Sequence, residues 1–139
     1  RVVFLAELND EWIDEIYSTP IAGGTAAKLN TALAHSGTVH SFAITPNSER
    51  VIYVAEQQQT NVEELYSVPL ADGAVTTLNL PLQSGGNVNK WIYISPSSNH
   101  VLYTAKQEHE DVWELFISFE ETPEETMFEH ELFLPFVIH

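Results

Sequence analysis

The chain contains no cysteine, which excludes disulfides and thiolate metal centres. Cationic side chains are scarce. Five Lys and Arg stand against twenty Asp and Glu, for a formal net charge of −15. Without a basic patch the chain has no means of gripping nucleic acid or an anionic membrane surface. Surplus acid favours solubility, cations or a basic partner. No apolar run approaches the roughly 18 residues that a membrane helix needs. Helical 3.6-residue periodicity is missing too, with 120–131 the one stretch suited to a turn or two. There is no Gly-rich phosphate loop, no G-x-S-x-G elbow and no H-E-x-x-H pair. What is present in quantity is hydrophobic residue, 44% of 139 positions, enough to build a packed core.

Those residues are arranged in a repeat of about fifty. Arg1-Val2-Val3-Phe4-Leu5-Ala6-Glu7 returns as Arg50-Val51-Ile52-Tyr53-Val54-Ala55-Glu56 and again as His100-Val101-Leu102-Tyr103-Thr104-Ala105-Lys106. Glu15-Ile16-Tyr17-Ser18 returns as Glu64-Leu65-Tyr66-Ser67 and as Glu114-Leu115-Phe116-Ile117. A fixed period of this size is the signature of a repeat architecture. Each copy reads as four short strands. In the second copy, 39–45 is stopped by Pro46-Asn47-Ser48, 51–56 is β-branched and aromatic, 62–70 ends in Ala71-Asp72-Gly73, and 75–78 closes the unit. Both alternating faces of Val51-Ile52-Tyr53-Val54-Ala55 are apolar. A sheet with one wet face shows polar alternation instead, so this sheet must be covered on both sides, and the covers are the neighbouring copies. That arrangement is an all-β propeller of four-stranded antiparallel blades.

On this frame the chain is a single propeller segment of about three blades, an incomplete ring. The first blade, 1–30, lacks its inner strand; the second spans 39–79 and the third 89–129, with a fourth strand expected at 124–128. A further strand starts within 131–138, placed either to open another blade or to cross over as the missing inner strand of the first. The chain begins inside a repeat without initiator Met or signal peptide, as expected of a processed product or part of something larger.

The run Phe42-Ala43-Ile44-Thr45-Pro46-Asn47-Ser48-Glu49-Arg50-Val51-Ile52-Tyr53, followed by Glu64-Leu65-Tyr66-Ser67-Val68-Pro69-Leu70-Ala71-Asp72-Gly73, resembles the WD40-like propeller repeat of the TolB type. Ile94-Ser95-Pro96-Ser97-Ser98 and Glu114-Leu115-Phe116 fit the same frame, and the resemblance covers about residues 1–119. Asn47-Ser48 and Ser97-Ser98 replace the Asp-Gly usual in that turn, and the Gly-His and Trp-Asp pairs of true WD40 repeats do not occur. The resemblance implies a binding or assembly scaffold at the cell envelope, in the periplasm or outside the cell, without enzymatic activity. The protein partner is the rest of a larger propeller or further copies of the chain, joined through the open blade faces into a ring or filament. The alternative it carries is the substrate-gating propeller of a prolyl-oligopeptidase-type serine peptidase.

Candidate chemistry is sparse. The loops between strands two and three are rich in oxygen donors. Asp10, Glu11 and Asp14 in the first, and Glu108, Glu110 and Asp111 in the third, are candidate calcium ligands. None has the D-x-D-x-D-G spacing, so the plainer reading is solvated loops and no cofactor. Glu15, Glu64 and Glu114 recur at one position, and Glu7 and Glu56 at another. Recurrence in each blade points to a structural role, because a catalytic site is normally unique. His35 and His40 lie on the connection into an inner strand, where a zinc site is conceivable. Trp12, Trp91 and Trp113 are expected to pack between blades.

Overall fold

The computed structural model describes residues 1–8, 12–119 and 136–137. Among the described residues eleven strands form three antiparallel sheets. The first holds β1 (Val2–Ala6), β2 (Glu15–Thr19) and β3 (Ala27–Lys28), in that order. The second holds β4 (Val39–Ile44), β5 (Arg50–Ala55), β6 (Glu64–Pro69) and β7 (Thr76–Thr77). The third holds β8 (Val88–Ile94), β9 (His100–Ala105), β10 (Glu114–Phe119) and β11 (Phe136–Val137). The propeller blades expected from the repeat are therefore present, and the first has β1 at its edge where an inner strand would pair.

The middle sheet is covered on both faces by its neighbours, as the apolar alternation of β5 requires. Val51, Tyr53 and Ala55 pack in one core with Ile16 of β2, flanked by Val3 and Leu5 of β1. Ile52 and Val54 point the other way, into a second core with Val101, Tyr103, Ala105 and Phe116 of the third sheet. All five are fully buried. In each blade an aromatic pair faces across strands two and three. Phe4 stacks on Tyr17 at 5.9 Å, Tyr53 on Tyr66 at 5.3 Å and Tyr103 on Phe116 at 5.5 Å between centroids. These pairs are opposite in register, so the repeat of ring positions in sequence is a repeat of cross-strand contacts.

The two-residue outer strands β3 and β7 are held by more than their own ladder. Asn30 Oδ1 accepts from Ile16 N at 2.9 Å and Asn79 Oδ1 from Leu65 N at 2.7 Å, while their amides donate to Thr31 O and Leu80 O. The blades are also stitched together by backbone. Val39 N donates to Asp14 O and Val88 N to Glu63 O, at 2.8 and 2.9 Å. Gly37 and Gly86 precede these joints, and a Cβ on either would lie 2.2 or 2.3 Å from the carbonyl oxygen of Glu56 or Lys106. Only glycine fits such an approach.

The spacing between copies changes from 49 to 50 residues, and the pairing shows where. In β4, Val39 faces Ala55 and Ser41 faces Val54, so His40 is one extra residue. In β8, Val88 faces Ala105 and Ile92 faces Tyr103, a bulge one residue larger. Bulges of this kind re-aim side chains. Here the enlarged one leaves Trp91 71% exposed.

The end of the chain departs from expectation. Phe136–Val137 pairs with Leu115 and Glu114 on the outer edge of β10. It thus takes the fourth position of the third blade, rather than opening a further blade or pairing with β1. β10 thereby has a short outer partner, as β2 has in β3 and β6 in β7. The expected strand at 124–128 lies outside the described residues.

Ser48 and Ser98 occupy the turn position where glycine is usual, with φ of 60° and 66°. A left-handed non-glycine residue costs about 1–2 kcal/mol, against about 0.5–1 kcal/mol for the freedom of glycine in the unfolded chain. Ser48 is exposed, so Ser48→Gly is expected to stabilise by roughly 0.5–1 kcal/mol. Ser98 is buried and its Oγ accepts from Asn47 N of the neighbouring blade at 3.0 Å. Ser98→Gly loses that bond and is expected to gain nothing or to destabilise. Urea denaturation midpoints of the two variants distinguish the signs.

Burial raises the Tyr103 phenol from 10.0 to about 12 and raises those of Tyr53 and Tyr66 as well. The unfolded chain releases these protons first as pH rises. Stability should therefore fall above about pH 10, with the Tyr103 contribution lost by about pH 12. Denaturation across that range should show the fall, and Tyr103→Phe should make it shallower.

Candidate functional site

The polar groups gather at one end of the sheets, where strand two runs out, a loop turns back and strand three begins. Three copies of this corner can be compared directly. At the start of strand three, Glu15 accepts from the Tyr17 hydroxyl at 2.8 Å and pairs with Lys28 Nζ at 2.8 Å. Glu64 accepts from the Tyr66 hydroxyl at 2.7 Å. The third copy has Phe116 in place of that tyrosine, and its glutamate finds other donors. Glu114 is 1% exposed, accepts from the N–H of Glu108 at 3.1 Å and sits 2.9 Å from His109 Nδ1. The recurrent glutamates thus hold the corner of each blade together, as their recurrence predicts.

At the end of strand two, Glu7 accepts from the N–H of Trp12 at 3.2 Å and Glu56 from that of Asn61 at 2.8 Å. Trp12 and Asn61 both have positive φ, 75° and 60°, so each carboxylate caps the same kind of left-handed turn. Lys106 stands at this position in the third blade and instead lies over the Trp113 ring, 5.4 Å from its centroid.

The middle blade adds a histidine. The β4 bulge directs His40 into the corner, with Nε2 3.1 Å from Glu56 Oε1 and 3.3 Å from Glu63 Oε1. These side chains are 15%, 14% and 22% exposed. Lys90 of the next blade reaches Glu63 Oε1 at 3.7 Å. His40 and Glu56 carry a signal in the sequence, and Glu63 does not. Its counterpart in the first copy, Asp14, reads only as a loop acid. The missing signal was the bulge, which is not legible until the register is known.

Of the loop acids, Asp10 and Glu11 lie outside the described residues. Asp14 uses its backbone at the blade joint, its N–H bonded to Thr38 Oγ1 at 3.0 Å. Glu110 lies against Gly85, and Asp111 is exposed. Glu108 stands with His109 and Glu114 in one group of potential ligand atoms; the other such group among the described residues is His40, Glu56 and Glu63. His35 lines a shallow cleft of about 370 Å³ with Leu33, Glu15 and Lys28. The tryptophans do not pack between blades. Trp12, Trp91 and Trp113 are 85%, 71% and 39% exposed, and the inter-blade aromatic work falls to tyrosine and phenylalanine. Trp91 and Tyr93 instead leave an exposed aromatic strip on the inner strand β8. Among the described residues no helix is long and apolar enough to cross a membrane.

No family model matches the chain, and no curated protein does. Among solved structures it is similar to one titled "The structure of putative TolB from Agrobacterium tumefaciens", with 16% identity and a TM-score of 0.55. The match covers 84% of this chain and 41% of that one, so the chain spans about two fifths of the length of that neighbour. The likeness supports propeller blades of the TolB kind as the fold.

Burial alone would raise the Glu114 carboxyl. The His109 hydrogen bond, the Glu108 N–H and the His109 charge outweigh it and hold the group below the ordinary carboxylate range. A depressed carboxyl stabilises the fold above its unfolded value and loses that effect as pH falls through the folded one. Glu114→Gln should therefore lower stability at neutral pH, and the difference from wild type should close in strong acid. Thermal melts of both proteins at a series of acidic pH values check this.

Proposed function

We propose that the chain is a non-catalytic binding scaffold of propeller blades that completes its sheets against a second copy of itself. The observation that carries this reading is the register of the two outward faces. Between the second and third blades, Ile52, Val54 and Leu65 bury against Val101, Tyr103 and Ala105. On the outward face of the third blade, Leu102, Thr104, Leu115 and Ile117 stand in register with Ile52, Val54, Leu65 and Ser67 and are only partly buried. On the first blade, Val2, Phe4 and Ala6 stand in register with Val51, Tyr53 and Ala55, and Val2 is 45% exposed. One end thus offers one half of an interface the chain already uses internally, and the other end offers the complementary half.

Such a contact is heterologous and either closes into a ring or runs on as a filament. A ring of two copies has about six blades, within the four to eight that propellers use. It also accords with the match to about two fifths of the neighbour's chain, since two copies come to about four fifths. The charge of −15 leaves the assembled surface suited to a basic protein partner. The TolB-like fold supports an envelope, periplasmic or extracellular setting as part of this reading.

Sedimentation velocity is the test. The purified chain is expected at twice its 15.6 kDa mass. Leu102→Lys with Leu115→Lys places charge on the outward face of the third blade, where both residues are partly exposed. It should yield monomers with an unchanged circular dichroism spectrum. A wild-type monomer, or a double variant that still dimerises, overturns the proposal.

A further inference from the structure

The same corner of the three blades carries three different solutions to one electrostatic situation. In the first blade it holds the acids Glu7 and Asp14; in the third it holds Lys106 packed on Trp113. The middle blade keeps the acid pair, as Glu56 and Glu63, and the bulge of β4 adds an imidazole between them. Where the third blade has a built-in cation, the middle one has two carboxylates and a nitrogen donor.

We infer that His40, Glu56 and Glu63 form a binding site for a divalent cation of the zinc class. An ion 2.0–2.1 Å from each ligand at tetrahedral angles separates the ligand atoms by roughly 3.3 Å. His40 Nε2 lies 3.1 Å from Glu56 Oε1 and 3.3 Å from Glu63 Oε1, and all three donor atoms fall within 4.8 Å of one another. The ligands are already oriented. The second oxygen of Glu56 is held by the N–H of Asn61 at 2.8 Å, an outer contact that leaves Oε1 facing the histidine. His40 is the inserted residue of a bulge, fixed between paired Val39 and Ser41, and Ser41 Oγ anchors that strand to Lys90 O of the next blade at 2.7 Å. One imidazole and two carboxylates suit zinc over calcium, which wants six to eight oxygens. Two carboxylate charges balance the ion, while Lys90, 3.7 Å from Glu63 Oε1 and 55% exposed on its side chain, is the cation it would displace from that oxygen; three protein ligands leave the fourth position to water. The group of Glu108, His109 and Glu114 is less suited. His109 is 66% exposed on its side chain, and Glu108 is exposed as well, whereas all three residues of the His40 group are partly buried.

The inference does not depend on the assembly, because all three ligands belong to one blade. Isothermal titration of the chain with zinc chloride, in competition with a weak chelator, is expected to give one tight site per chain. His40→Ala and the near-isosteric Glu63→Gln should each weaken it at least tenfold, whereas His109→Ala should leave it unchanged. Zinc should raise the melting temperature of wild type and of His109→Ala, and leave that of His40→Ala where it was. Cobalt should give the intense visible absorption of a four-coordinate site in wild type and in His109→Ala, and not in His40→Ala. Absence of zinc binding by the wild-type chain overturns the inference. So does equal affinity in folded Glu63→Gln, or loss of the tight site only in His109→Ala.

Discussion

The structure depends on one constraint: a β-sheet that is apolar on both faces must be covered twice. β5 states it most strongly, with Val51, Tyr53 and Ala55 on one side and Ile52 and Val54 on the other, all removed from solvent. Burying such side chains is worth roughly 1.5–3 kcal/mol each. No arrangement that leaves one face wet recovers this. Stacking copies of the same sheet does, and the cross-strand ring pairs give each copy the same thickness at the same place. The blade joints follow from it. The first N–H of strand one is satisfied by the preceding blade's carbonyl, and just before it Gly37 and Gly86 pass so close to the Glu56 and Lys106 carbonyls that only glycine fits.

Within that frame, polar pairs change as units. Arg1 bonds Ser18, and Arg50 bonds Ser67 through Nε at 2.7 Å. In the third blade both members are replaced, by His100 and Ile117, and His100 turns edge-on to Phe119 at 4.8 Å. The Glu15–Tyr17 and Glu64–Tyr66 bonds likewise give way to Glu114 with His109 and the N–H of Glu108. A buried polar group left alone costs about 1–3 kcal/mol, so a lone change at either pair is disfavoured. Replacing both partners, or supplying a new donor, is tolerated. This explains how the third copy departs most from the repeat while keeping its sheet.

The propeller of similar blades carries its individuality in irregularities. The bulges of β4 and β8 differ by one residue. The smaller turns His40 toward Glu56 and Glu63; the larger exposes Trp91 beside Tyr93. Both lie on the inner strands, whose other residues, among them Val39 and Phe42 of β4 and Val88 and Ile92 of β8, pack into the inter-blade cores.

The sequence by itself determined the all-β class, the antiparallel sheets and the doubly apolar faces of β5, because these are periodic and local. Two-residue alternation sets the faces of β5, and turn residues such as Pro46 and Gly73 end its neighbours. The recurrence of Glu15, Glu64 and Glu114 marked one structural corner three times. Asn30 and Asn79 recur just as regularly and carried the same kind of signal. Only the tertiary structure decided the rest. Whether Trp12, Trp91 and Trp113 are covered depends on which neighbour lies over them. The pairing of Phe136–Val137 with β10 depends on an edge formed by Leu115 and Glu114, far earlier in the chain. The meeting of His40 with Glu63 depends on the register of a bulged strand across β5. Periodic patterns specify each sheet through contacts between adjacent strands. Which side chains converge at a corner is set by the residues that break the period, and their effect exists only once the strands are paired.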